Sequence, residues 1–328
     1  MKKVLSLILA LAMVFALVAC GEKQPASDGD ASSDGDKPAR GNVIMTFGTA
    51  DTGGSMYPAG AAVSQVWTNN VEGVKCNTQT STGSFQNCQD VSTGEVDVAV
   101  ATSDVVLNAY NGTGKFADIG KLDNLRVIGA VYTSVLSGVA LKSSGLTYIH
   151  ELLGKRVAVG PAASATENAT LAAFGVMGID SSNTSLENLG LGDGILDAAF
   201  GFAGLPIGGQ LNLAATKEIQ VLDMTQEEID KVLAGNAAYI QTKIPAGTYT
   251  GQDNDANTFG VKCLIIVTAD MDADLVYDLC KAMNEHTEEL AAGNALLKDM
   301  TDPSFLCTQM PIPLHDGAQK YYSEQGLI

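Results

Sequence analysis

One order of residue types recurs along this chain: a short apolar run rich in β-branched residues, a loop of small residues, then a helical pattern. Strand-like runs occur at 43–49 (VIMTFGT), 74–80 (VKCNTQT), 96–101 (VDVAVA), 125–132 (LRVIGAVY) and 137–142. A second series occupies 156–160 (RVAVG), 185–189, 197–202 (DAAFGF) and 219–223. Alternation of this kind predicts an α/β protein in which helices connect parallel strands. The long apolar run 259–267 (FGVKCLIIV) reads as a strand that crosses back, and 272–293 and the segment after Pro313 read as helices. The layout predicts two α/β lobes. The first combines 43–136 with 259–328 and the second is 137–258; a two-crossing hinge joins the lobes, and the ligand cleft lies between them.

The loops that follow the strands carry the functional expectation. They read Ala50-Asp51-Thr52-Gly53-Gly54-Ser55, Ser81-Thr82-Gly83-Ser84, Thr102-Ser103-Asp104, Pro161-Ala162-Ala163-Ser164-Ala165-Thr166 and Ala203-Gly204-Leu205-Pro206. Each precedes a predicted helix, with Ser103 a cap and Pro206 a helix start. Helix N-termini present unpaired N–H groups and the positive pole of the helix dipole. In open α/β sheets ligands bind at the carboxyl ends of the strands. Glycine admits close backbone approach and serine or threonine adds a hydroxyl donor, so an anion can be held without a basic side chain. None of the five loops contains Lys or Arg. The expected ligand-binding residues are Asp51, Gly53, Gly54, Ser55, Tyr57, Ser81, Gly83, Ser84, Asn87, Ser103, Tyr132, Ser164, Thr166 and Gly204. Among them Asp51 is the candidate for a ligand ammonium group, and Tyr57 and Tyr132 for an aromatic wall. The loops lack the GK[ST] ending of a Walker loop and the GxGxxG of a dinucleotide site.

The N-terminus bears on location. Lys2 and Lys3 are followed by an apolar run from Val4 to Ala19, ending in Leu17-Val18-Ala19-Cys20. That is the pattern of an export signal, here residues 1–19, with a cysteine placed for lipidation. Residues 20–42 contain almost no large apolar side chains and are expected to form a disordered tether. The formal charge is −18, or −20 without the two leader lysines, which sets nucleic acid aside as a partner. Five cysteines remain after Cys20: Cys76, Cys88, Cys263, Cys280 and Cys307. They show no CxxC spacing, and the three histidines lie far apart, so no metal and no cofactor is expected. The cysteines are expected to act as small buried hydrophobes.

Taken together, FGTADTGGSMYP, TSTGSFQN, GEVDVAVATSDV, LLGKRVAVGPAASATE, LDAAFGFAGLP and MPIPLHDGAQKYY, in that order, resemble the TAXI-type receptors of tripartite ATP-independent periplasmic (TRAP) transporters. The likeness runs from about residue 46 to 325. It implies a periplasmic-binding-protein type II fold, an ion-driven membrane permease as partner, and a small carboxylate as ligand, either a glutamate-like amino acid or a dicarboxylate. It also implies an extracytoplasmic monomer, held to the membrane through lipidated Cys20. Asp51, Ala165 and the stretch 204–209 depart from the family pattern and bear on which carboxylate is taken. A receptor for an ATP-driven importer and a secreted enzyme are the alternatives. No nucleophile elbow and no HExxH motif occurs.

Overall fold

The computed structural model describes residues 41–52, 54–162, 164–190 and 196–328. The expected signal peptide, Cys20 and nearly all of the tether lie outside the described residues. The chain runs β1 (Val43–Gly48), α1 (Met56–Asn70), β2 (Val74–Gln79), α2 (Ser84–Thr93), β3 (Val98–Thr102), α3 (Ser103–Asn111) and then the long β4 (Leu125–Leu141). It continues with β5 (Arg156–Ala158), α4 (Ala165–Met177), β6 (Ser185–Glu187), β7 (Ala198–Ala203), α5 (Gly208–Ala214), β8 (Ile219–Val221), α6 (Gln226–Gly235) and β9 (Tyr239–Ile244). The last part comprises the long β10 (Ala256–Thr268), α7 (Ala273–Glu285), α8 (Thr287–Gly293), α9 (Pro303–Cys307) and α10 (Asp316–Glu324).

The strands form one sheet in the order β2-β1-β3-β10-β4-β7-β5-β6, with β8 added to β4 and β9 to β10. β1, β2 and β3 are mutually parallel, as are β5, β6 and β7. Between the two parallel groups, β4 and β10 pair antiparallel from Gly260↔Val135 to Thr268↔Leu125. Both are almost continuously apolar, as strands covered on both faces must be.

These two strands also divide the core. Val127, Ile128, Val131 and Tyr132 of β4, with Cys263–Val267 of β10, pack with side chains of β1–β3 and of α7–α10. Further along the same strands, Val135, Leu136, Val139 and Ala140, with Ala256 and Phe259, pack with α4, α6, β7 and β8. Each strand changes core within about three to four residues. The anchor of the first core is Trp67 on α1, fully buried, stacked on Phe47 at 5.4 Å, its Nε1 donating to Leu279 O at 3.0 Å. Phe174 and Phe200 meet edge to face at 5.4 Å in the second.

The structure revises four local expectations. The runs 125–132 and 137–142 are one strand, because β10 and β7 keep the polar stretch around Thr133–Ser137 in register. The helix expected over 272–293 breaks at His286, where the backbone leaves helical geometry between α7 and α8. Ser103 is the first helical residue of α3 rather than its cap, which is Thr102. Pro206 lies ahead of α5, whose cap is Ile207. The strand β9 lay in no predicted segment. All five cysteines of the described part are buried and free. Burial pushes Cys76 and Cys263 up to about 11, so neither is a ready thiolate. No helix among the described residues is long and apolar enough to cross a membrane.

Two glycines test the packing. A Cβ on Gly317 would fall 2.2 Å from Ala273 O, where α10 crosses α7. Gly175, exposed within α4, has nothing within 4 Å of that position. Gly317→Ala is therefore expected to cost about 1–3 kcal/mol. Gly175→Ala is expected to gain about 0.5–1 kcal/mol. Urea unfolding midpoints measure both signs.

Candidate functional site

The register of the two long strands brings the carboxyl ends of both parallel groups to one place. Thr102, the last residue of β3, lies opposite Cys263 of β10, and Cys263 lies opposite Tyr132 of β4. Ala203, the last residue of β7, lies opposite Val135 of the same β4. β3 runs in the direction of β4 and β7 runs against it, so their carboxyl ends point at each other. Three residues of β4 separate them, about 10 Å at about 3.3 Å per residue.

Side chains tie the neighbouring loops to these two ends. Asn87 Nδ2 donates to Thr49 O (2.6 Å) and to Val100 O (2.7 Å), clamping the end of β1 against β3. Ser81 Oγ donates to Thr49 O at 2.9 Å and accepts from Gly83 N at 2.9 Å. Ser84 Oγ accepts from Thr102 N at 3.0 Å, which joins the start of α2 to the end of β3. On the other side, Thr166 Oγ1 accepts from Phe202 N at 3.2 Å, holding the start of α4 beside the end of β7. Ser164 caps α4 by accepting from Glu167 N at 3.1 Å. Gly83 and Gly160 adopt φ of +107° and +104°, which only glycine takes without strain.

The expected site residues therefore separate by what their polar atoms already do. Ser84, Ser164 and Thr166 accept through oxygen in these contacts, so the hydroxyl proton of each remains available to a ligand. Ser81 has given its proton to Thr49 O, and Ser103 donates to Ala238 O at 3.1 Å. Asn87 is fully buried and its Nδ2 donates twice to backbone, while its Oδ1 has no partner. Tyr132 is 1% exposed and belongs to the first core; burial carries its hydroxyl well above the ordinary tyrosine value. Gly204 is buried against Tyr132 and Leu296. Ser55 caps α1 without a side-chain bond to the helix, Tyr57 is half-buried, and Gly54 donates to Asp51 O at 3.0 Å. Asp51 is exposed. Gly53 lies outside the described residues.

Asp104 lies in the first turn of α3. Burial raises its carboxyl, and Oδ1 is out of solvent with no partner. Ala238 and Leu296 also reach this region, through Ser103 and Gly204. The former precedes an unpredicted strand and the latter sits in a 3-10 turn, and neither has a sequence signal. The helix after β7, α5, has only seven residues and starts four positions beyond Gly204, so its amides are not aimed as the sequence suggested. Two concavities lie away from this edge. One, of about 410 Å³, is bordered by Lys142, Asp223, Asp253 and Asp255. The other, of about 430 Å³, lies between α1 and β2. No cluster of potential metal ligands occurs among the described residues.

This arrangement is that of a type II periplasmic solute-binding fold. The TctC solute binding protein from Polaromonas superposes with a TM-score of 0.52 at 13% identity, over 87% of this chain and 98% of that one. The alkanesulfonate-binding protein SsuA from Xanthomonas axonopodis pv. citri, bound to MOPS, matches with a TM-score of 0.45 at 14% identity, over 88% and 85%. Substrate binding domain 2 of GlnP from Lactococcus lactis, in an open conformation, matches with 0.42 at 10% identity, over 81% and 96%. Residues 47–326 match the NMT1-like family, and the chain belongs to that family.

Asn87 provides the test of the clamp. Asn87→Ala removes a donor from Val100 O and one of two side-chain donors from Thr49 O, which keeps Ser81 Oγ, and is expected to cost about 1–3 kcal/mol. The urea midpoint falls with an unchanged slope if the loss is one of stability alone.

Proposed function

We propose that the protein is an extracytoplasmic receptor that captures a small carboxylate at the gap between the ends of β3 and β7 and delivers it to a membrane permease. The observation that carries this reading is the meeting of two opposed sets of strand ends within three residues of β4, with Ser84 on one side and Ser164 and Thr166 on the other. First-turn amides of α2, and those of Ala165 and Thr166 in α4, lack intrahelical acceptors, so they and the three hydroxyls form a donor set for one anionic group. Neither side of the gap brings a Lys or Arg within its loops. A carboxylate matched by such neutral donors is held by direction as well as by charge.

The ligand is read as a glutamate-like amino acid or a dicarboxylate, and the partner as a TRAP permease of the TAXI type. The sequence motifs support both, together with the lipid anchor at Cys20 and action as a monomer. Capture proceeds by closure: the anion docks on one set of donors, and rotation about the crossing strands brings up the other. Closure removes water from the gap and strengthens each hydrogen bond.

A correct carboxylate at a hundredfold excess over its dissociation constant stabilises the fold by about 2.7 kcal/mol, seen as a rise in Tm. Among the loop serines, Ser84→Ala and Ser164→Ala are expected to weaken binding by roughly 10- to 100-fold, the loss of one bond to a charged group. Ser81→Ala, whose proton is already spent, is expected to lower Tm with little change in affinity. Titration calorimetry on the variants decides, and equal affinities in all of them contradict the assignment. A panel of amino acids and dicarboxylates that leaves Tm unmoved contradicts carboxylate capture itself.

A further inference from the structure

The segment 295–308 meets both crossing strands at the place where they pass from one core to the other. It comprises the 3-10 turn Ala295–Thr301 and α9. On β4, Thr133 donates to Asp299 Oδ2 from N (3.2 Å) and from Oγ1 (2.8 Å). On β10, Lys262 is the register partner of Thr133. Lys262 is 3% exposed, and its Nζ donates to Phe305 O at 2.8 Å and to Thr308 O at 2.9 Å. The ammonium also stands 4.5 Å from the centre of the Phe305 ring. Burying it without a carboxylate in contact is costly, and burial lowers its pKa to about 8. Two carbonyls and an aromatic face offset that cost only if 305–308 stays in place.

A third contact reaches the other core. A Cβ built on Gly204 would lie 1.8 Å from Leu296 Cδ1 and 3.2 Å from Tyr132 Cδ2. Gly204 directly follows β7, which packs with the 135–259 core. The segment is thus fastened to both crossing strands by Asp299 and Lys262, and Leu296 bears on the far side. Any rotation about the stretch 132–135 displaces Gly204 relative to Leu296.

We propose that 295–308 is a strut that sets the resting opening of the two halves, with Leu296 against Gly204 as its bearing. Lys262, Asp299 and Leu296 are positioning residues in this scheme, acting through the crossing strands and touching no ligand. The inference rests on the fold, and its test needs no ligand, so it stands or falls separately from the carboxylate reading.

The experiment is electron–electron double resonance on the ligand-free full chain, with spin labels on thiols introduced at exposed Glu95 and Lys217; the five native cysteines of the described part are buried. Gly204→Ala, which places a methyl where Leu296 sits, is expected to shift the mean distance by several ångström. Adding Leu296→Ala to that variant is expected to restore it. Lys262→Met releases the strut and is expected to broaden the distribution. Leu296→Ala alone, which keeps the fold if Gly204→Ala does not, is expected to broaden it as well. Distances that match the parent in every folded variant, with only Tm reduced, overturn the proposal and leave local packing.

Discussion

The antiparallel pairing of β4 with β10 is the constraint on which the rest depends. Because both strands run unbroken through two cores, they fix where each parallel group ends. β3 must stop at Cys263 and β7 at Val135, and the loops that follow have no direction left except toward each other. A slip of one residue in this pairing would turn Tyr132 and Cys263 out of the first core and would misalign the two sets of loops together. Apolar side chains on both faces of both strands hold the register, so the energetics of the core and the position of the site are one problem.

On the proposed reading, an acidic protein receives an anion. With a formal charge of −18, long-range attraction works against a carboxylate. Short-range donors have to compensate, and they need to be fixed before the ligand arrives. The fixing is visible in the bonds that Ser84, Ser164 and Thr166 accept: each hydroxyl oxygen is held by a backbone N–H from the neighbouring strand or turn. The same bond leaves the proton outward. Ser81, Ser103 and Asn87 carry similar chemistry but spend their donors on backbone carbonyls, which gives the loops their shape.

The sequence revealed the strands that run into a small-residue exit: β1, β2, β3, β5 and β7 fall within a residue or two of expectation. It misjudged β4, because Thr133, Ser134 and Ser137 look like a break; in the sheet Thr133 and Ser134 pair with β10 and Ser137 with β7, so the strand continues. β9 was missed since YIQTKI sets three polar residues, Gln241, Thr242 and Lys243, in a row within a stretch that looked like a loop. In the candidate site, Gly83, Ser84, Ser164 and Thr166 were legible because capping and strand-end chemistry are local. Ala238, Leu296 and Lys262 were not, since their roles come from contacts more than 40 residues away in sequence.

On the proposed reading, two segments distant in the chain share one gap. Hydrogen exchange measured by mass spectrometry, with and without saturating L-glutamate or succinate, tests it most directly. Amides of 81–87 and of 164–168 are expected to slow together on addition of the carboxylate that binds. Protection confined to one of these segments, or appearing instead around Lys142 and Asp253, would contradict it.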